Sequence, residues 1–208
     1  MKNKYSMSEN ISTAYAFIYT KLFYSGARLI RRPFYCRGKS RLQFEEGLTT
    51  GYHCRFDLLG EDSDNSKKLF IGKNCKLGDN VHIVANEKVV IGDNCLIASK
   101  VFISDTSHGD YSDGNIDSSP DIPPDERQLY TKVVSIGNNV WIGENVCILL
   151  GVRIGNGCIV GANSLVNKTV PDRCIIVGSP AVIIKRWNSK LNIWLKVDKD
   201  TLKKDIMQ

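Results

Sequence analysis

Ile136-Gly137-Asn138-Asn139-Val140-Trp141, Ile142-Gly143-Glu144-Asn145-Val146-Cys147, Ile148-Leu149-Leu150-Gly151-Val152-Arg153, Ile154-Gly155-Asn156-Gly157-Cys158-Ile159, Val160-Gly161-Ala162-Asn163-Ser164-Leu165 and Val166 form one run with an aliphatic residue every six positions. The same period holds at Ile71, Leu77 and Ile83, and at Ile91, Ile97 and Ile103; a weaker set is Phe44, Thr50 and Phe56. A six-residue period fits neither a helix at 3.6 nor a single amphipathic strand at 2. It fits short strands joined by corners.

Gly-x-Asn follows most anchors, as in Gly72-Lys73-Asn74, Gly92-Asp93-Asn94 and Gly143-Glu144-Asn145. Gly and Asn tolerate positive φ, so a sharp corner is expected once per repeat. Four residues after each anchor comes a small or β-branched residue: Cys54, Cys75, Val81, Cys95, Val101, Val140, Val146, Val152, Cys158, Ser164 or Val170. Three strands and three corners close one coil of about 18 residues, and stacked coils bury a column of aliphatic side chains. The expected fold is an all-β solenoid of parallel strands.

Of the seven cysteines, four occupy the small inner slot, and no C-x-x-C pair occurs. They read as packing residues in a reducing compartment, not as a disulfide framework or zinc site. Residues 1–41 carry nine Lys and Arg against Glu9 alone, whereas the whole chain is only +6. A basic segment on a near-neutral body argues against a nucleic-acid binder. With no transmembrane-length apolar run and no signal-peptide pattern, the expected location is the cytoplasm.

The period breaks at residues 57–70, between Ile83 and Ile91 where the step is eight, and most strongly from Thr106 to Val134. The last break, rich in Gly, Pro and Asp, must project from the coils. His108 stands at its root, held by a rigid strand yet facing solvent, a good position for chemistry.

Residues 10–31 read as an amphipathic helix with Ile11, Ala14, Tyr15, Ile18, Leu22, Leu29 and Ile30 on one face. Such a basic, aromatic helix either caps the solenoid or lies on the inner membrane surface. The expected organisation is a helical segment at 1–30, the solenoid at 31–184 with its loop at about 106–134, and a helical tail at 185–208.

From Arg31 to Lys185 the chain resembles the hexapeptide-repeat acetyltransferases, and among them the bacterial O-antigen (lipopolysaccharide) O-acetyltransferases of the WbbJ type. The carrying residues are Arg32-Pro33, Ile97-Ala98-Ser99-Lys100-Val101-Phe102-Ile103-Ser104-Asp105, Asn139-Val140-Trp141-Ile142-Gly143-Glu144-Asn145-Val146, and Val177-Gly178-Ser179-Pro180-Ala181. The resemblance implies a left-handed parallel β-helix, a homotrimer, acetyl-CoA as cosubstrate, no metal, and a carbohydrate hydroxyl as acceptor. It makes His108 the catalytic base; an imidazole can take a hydroxyl proton at neutral pH and pass it to the departing thiolate. It points to Asn80 for the acceptor or the oxyanion and to Trp141 for the acceptor, and His82, polar at an outward coil position one turn below, is a further acceptor candidate. Gly143, Ala162, Asn167, Lys168 and Lys185 are implied for CoA, the two lysines for its phosphates.

Three rival readings fit the sequence less well. A carbonic anhydrase of this fold needs three zinc-binding histidines, two close in sequence, but His53, His82 and His108 are widely spaced. A non-catalytic scaffold needs no histidine-bearing loop. An amino-sugar N-acetyltransferase usually carries a separate N-terminal domain, for which about 40 residues leave no room. A small sugar is the alternative acceptor.

Overall fold

The structure, a computed structural model, describes residues 6–60, 66–112 and 117–197. Its strands fall into three parallel sheets that the chain enters in turn. Sheet I contains Leu29–Ile30, Thr49–Thr50, Lys76–Leu77, Leu96–Ile97, Trp141–Ile142, Ile159–Val160 and Cys174–Gly178, with an antiparallel extension at its end. Sheet II stacks Phe34–Arg37, Cys54–Leu58, His82–Ala85, Phe102–Ser104, Cys147–Ile148 and Leu165–Val166, and sheet III stacks Leu42–Phe44, Leu69–Ile71, Val89–Ile91, Val134–Ile136 and Arg153–Ile154. Because each strand joins a different sheet from the one before it, the chain winds as a coil whose faces are the three sheets.

The register places equivalent repeat positions above one another, as in Ile83↔Ile103↔Ile148↔Val166. Every expected aliphatic anchor from Ile71 to Val166 is buried, and so is every residue of the small slot. At the start of the stack, Tyr24, Phe34 and Phe56 close the core edge-on, with ring centroids 5.5 and 5.1 Å apart.

The corners divide their labour differently from the sequence expectation. Positive φ falls on the Asn: Asn74, Asn80, Asn94, Asn139, Asn145 and Asn163 lie at 56–58°. The preceding Gly serves close stacking. A Cβ on Gly143 would stand 2.6 Å from the Ala162 nitrogen in the next coil. The middle position is not arbitrary either. Along one edge Asp93 accepts from the Lys73 amide, Asn138 from Asp93, Asn156 from Asn138 and Asp172 from Asn156, at 2.7–2.9 Å. These side chains bind one coil to the next by satisfying backbone donors that corners leave unpaired.

Both chain ends depart from expectation. The helix spans Met7–Phe23, opened by a capping box in which Ser6 and Glu9 bond each other's backbone amides. It stops before residue 30 because Leu29–Ile30 already pairs with Thr49–Thr50 in sheet I. Its buried residues are Ala16 and Thr20; Ile11, Ala14, Tyr15, Ile18 and Leu22, which share one face as expected, are exposed, so that face does not cap the solenoid. Thr20 decides the orientation: its Oγ1 donates to the Ala16 carbonyl and accepts from the Ile30 amide.

The expected C-terminal helix at 185–208 is instead two antiparallel strands, Ala181–Asn188 and Ile193–Lys196, as far as the described residues go. The first runs through the expected 184/185 boundary. β-Branched Val182, Ile183 and Ile184 favour strand. Trp187 pairs with Trp194 across the strands, ring centroids 5.4 Å apart, and Asn188 caps the turn through the Lys190 and Leu191 amides.

Candidate active site

The long break leaves the coil between Phe102–Ser104 of sheet II and Val134–Ile136 of sheet III. It begins as an antiparallel pair, Thr106–His108 against Leu129–Thr131. Its root is fixed by Asp105, which is fully buried. Its carboxylate accepts from the backbone amides of Asn86, Glu87 and Lys88 at 2.7–3.1 Å and from the Thr106 hydroxyl at 2.6 Å. The two-residue bulge after Ile83 is thus tied to the base of the histidine-bearing loop. Sequence reasoning found the bulge and the loop but missed their connection. The signal available was an acidic residue at the last position before the break.

His108 is exposed at the end of this strand. A carbonyl oxygen only accepts, so the 3.1 Å contact with the Pro124 oxygen makes Nδ1 the donor. In the neutral ring the lone pair then sits on Nε2. The loop that supplies Pro124 is held by Arg127, which donates to the carbonyls of Ile122 and Pro120 and to the Tyr111 hydroxyl; Tyr111 in turn donates to the His108 carbonyl. Pro124, Arg127 and Tyr111 were not legible, because all three act across a loop without periodicity. A cavity of about 240 Å³ bordered by Ser107, Tyr111, Tyr130 and Lys132 lies beside the loop. Strand alternation puts Ser107 and Tyr130 on the opposite face of the hairpin from His108.

His82 and Phe102 lie next to each other on the outer side of sheet II, with ring centroids 5.3 Å apart. His82 Nε2 stands 3.0 Å from Asp57 Oδ2, which also accepts from Arg55 Nε at 2.6 Å; Arg37 Nε is 3.7 Å from the other oxygen. Burial pushes the Asp57 carboxyl up, but the hydrogen bonds and charges of Arg55 and His82 outweigh it and hold the group below the ordinary range. Arg37, Arg55 and Asp57 belong with Tyr35 to an open cavity of about 590 Å³ that sequence reasoning did not anticipate.

The remaining candidates do not converge within one chain. Trp141 is half-exposed on the outer side of sheet I, opposite the edge from which His108 projects. Lys185 shares its row through Ile159 and Ile175, about 14 Å away at roughly 4.8 Å per strand. Asn80, Gly143 and Ala162 stack along the edge between sheets I and II. Asn167 and Lys168 lie past Leu165–Val166, where they line a cavity of about 360 Å³ with Thr169, Pro180, Val182 and Arg186. Lys185 is not part of that lining.

Repeat, coil and loop together define a hexapeptide-repeat transferase. Residues 134–168 match the family described as bacterial transferase hexapeptide (six repeats), and residues 68–104 match the hexapeptide repeat of succinyl-transferase. The chain is 44% identical over 177 residues to the protein of Escherichia coli K12 named as the lipopolysaccharide biosynthesis O-acetyl transferase WbbJ, covering 85% of this chain and 88% of that one. It thus belongs to the hexapeptide-repeat acetyltransferases and is an acyltransferase.

A galactoside acetyltransferase in complex with coenzyme A is similar in structure, with a TM-score of 0.52, 30% identity, and 73% and 72% of the two chains covered. AntD, an N-acyltransferase from Bacillus cereus, shares the fold with a TM-score of 0.65 at 21% identity, over 100% of this chain and 97% of that one.

Proposed function

We propose that this chain transfers the acetyl group of acetyl-CoA to a sugar hydroxyl of a bacterial surface polysaccharide, an O-antigen or capsule, or of its precursor. The coils wind left-handed, as the family resemblance implies. The observation that carries the reading is the His108 ring, exposed, with Nδ1 committed to Pro124 and Nε2 making no hydrogen bond among the described residues. Nε2 takes the acceptor hydroxyl proton as the oxygen attacks the thioester carbonyl. The carbon–sulfur bond then breaks, and the proton passes to the CoA sulfur. No acyl-enzyme is needed. Four of the seven cysteines lie buried in the inner slot, and burial pushes the Cys54 and Cys158 thiols up.

Residues Gly143 and Ala162 present an edge on which backbone approaches closely, and Lys168, exposed in the lining of its cavity, supplies a cation for a CoA phosphate. Asn80, His82 and Trp141 serve the acceptor. Because His108 and Trp141 face away from each other in one chain, the reading includes a homotrimer in which each site is shared between neighbours. The enzyme works in the cytoplasm, at the inner surface of the membrane.

The test is turnover of acetyl-CoA by purified protein against a panel of bacterial glycans and small galactosides, with the acetylated position located by NMR. Transfer to a glycan hydroxyl supports the proposal. Transfer only to small sugars moves the acceptor class, and transfer to an amine overturns O-transfer.

A further inference from the structure

The N-terminal helix is built inside out. At 3.6 residues per turn, Ile18, Ile11, Leu22 and Tyr15 lie within about 80° of Met7, while Ala16 and Thr20 lie about 180° and 220° round. The small residues face the protein, and the large apolar ones are 58–81% exposed. Phe17 adds to the edge of this stripe and, with Ile18, Arg28 and Leu29, borders an open cavity of about 620 Å³. A packed helix normally buries its apolar stripe; here the stripe is directed outward along the full length of the helix.

The charges on the helix and on the segment that follows it are mostly positive. Among residues 6–41 the only acidic residue is Glu9, which is used in the capping box. Lys21 sits on the stripe's edge over the Phe17 ring, and Arg28 follows beyond the helix. Lys39 Nζ donates to the Phe23 carbonyl at the helix end and stands over the Tyr24 ring, and Arg32 stands over the Tyr19 ring. An apolar stripe with aromatic residues and cations at its margins matches an interface of acyl chains beneath anionic headgroups. A second copy using the same face would set cation against cation.

We propose that this helix docks the protein on an anionic bilayer surface through Met7, Ile11, Tyr15, Ile18 and Leu22. The inference rests on the membrane-side placement proposed above, and its test requires no turnover. The full chain is sedimented with vesicles of phosphatidylcholine alone or with phosphatidylglycerol added. The expected result is binding to the anionic vesicles only, weakened by salt. The double variant Ile18→Asp/Leu22→Asp, with an unchanged melting temperature and assembly size, should bind at least about tenfold more weakly. Failure of the native chain to bind anionic vesicles, or equal binding by the variant, overturns the proposal. A variant that changes the assembly size in light scattering also overturns it, assigning the stripe to contact between copies.

Discussion

The Nδ1–H of His108 donates to the carbonyl oxygen of Pro124 at 3.1 Å, sixteen residues along the same loop. This bond orients the ring and selects its tautomer, and Arg127 and Tyr111 help hold the loop against the strand through the Ile122, Pro120 and His108 carbonyls. The catalytic reading depends on this loop as much as on the imidazole.

Asp105 carries the loop's root. Replacing it by Ala leaves the amides of Asn86, Glu87 and Lys88 without their acceptor in a buried place. Asp105→Ala should lose about 3 kcal/mol of stability in denaturant unfolding. A loss below about 1 kcal/mol would show that water replaces the carboxylate freely.

The Asp57 carboxyl is held below its ordinary range by Arg55 and His82. Such a group adds stability above its unfolded pKa, near 3.9, and this is lost as pH falls through the lower folded value. The melting temperature of Asp57→Asn should therefore lie below that of the native protein at neutral pH, with the gap closing in acid. A gap independent of pH would contradict the ion-pair account.

Gly143 lies where a Cβ meets backbone of the next coil. Gly143→Ala should cost about 1–3 kcal/mol in thermal or denaturant unfolding, as overpacking does. Full stability would mean that the corner stacking is loose.

Trp141 is half-exposed, and its ring is assigned to the acceptor. Trp141→Ala should raise the acceptor KM while changing stability by less than about 0.5 kcal/mol. An unchanged KM would return Trp141 to a packing role.

The coil was legible because one chemical requirement, an inward aliphatic every six residues, repeats from Ile71 to Val166 and every instance is buried. The loop was legible as an interruption and His108 as its first titratable side chain. The partners Pro124, Arg127 and Asp105 were not, since non-local hydrogen bonds leave no period. The ends were legible only in part. The helix packs through Ala16 and Thr20, which a search for large apolar residues passes over, and the tail's tryptophans pair across a hairpin instead of along a helix.

The account's central claim is tested most directly by the rate of acetyl transfer from acetyl-CoA by His108→Ala. The account predicts a fall in kcat of about 10²–10⁴-fold with fold and CoA affinity retained. A variant that turns over at nearly the native rate would contradict it and remove the imidazole from the reaction.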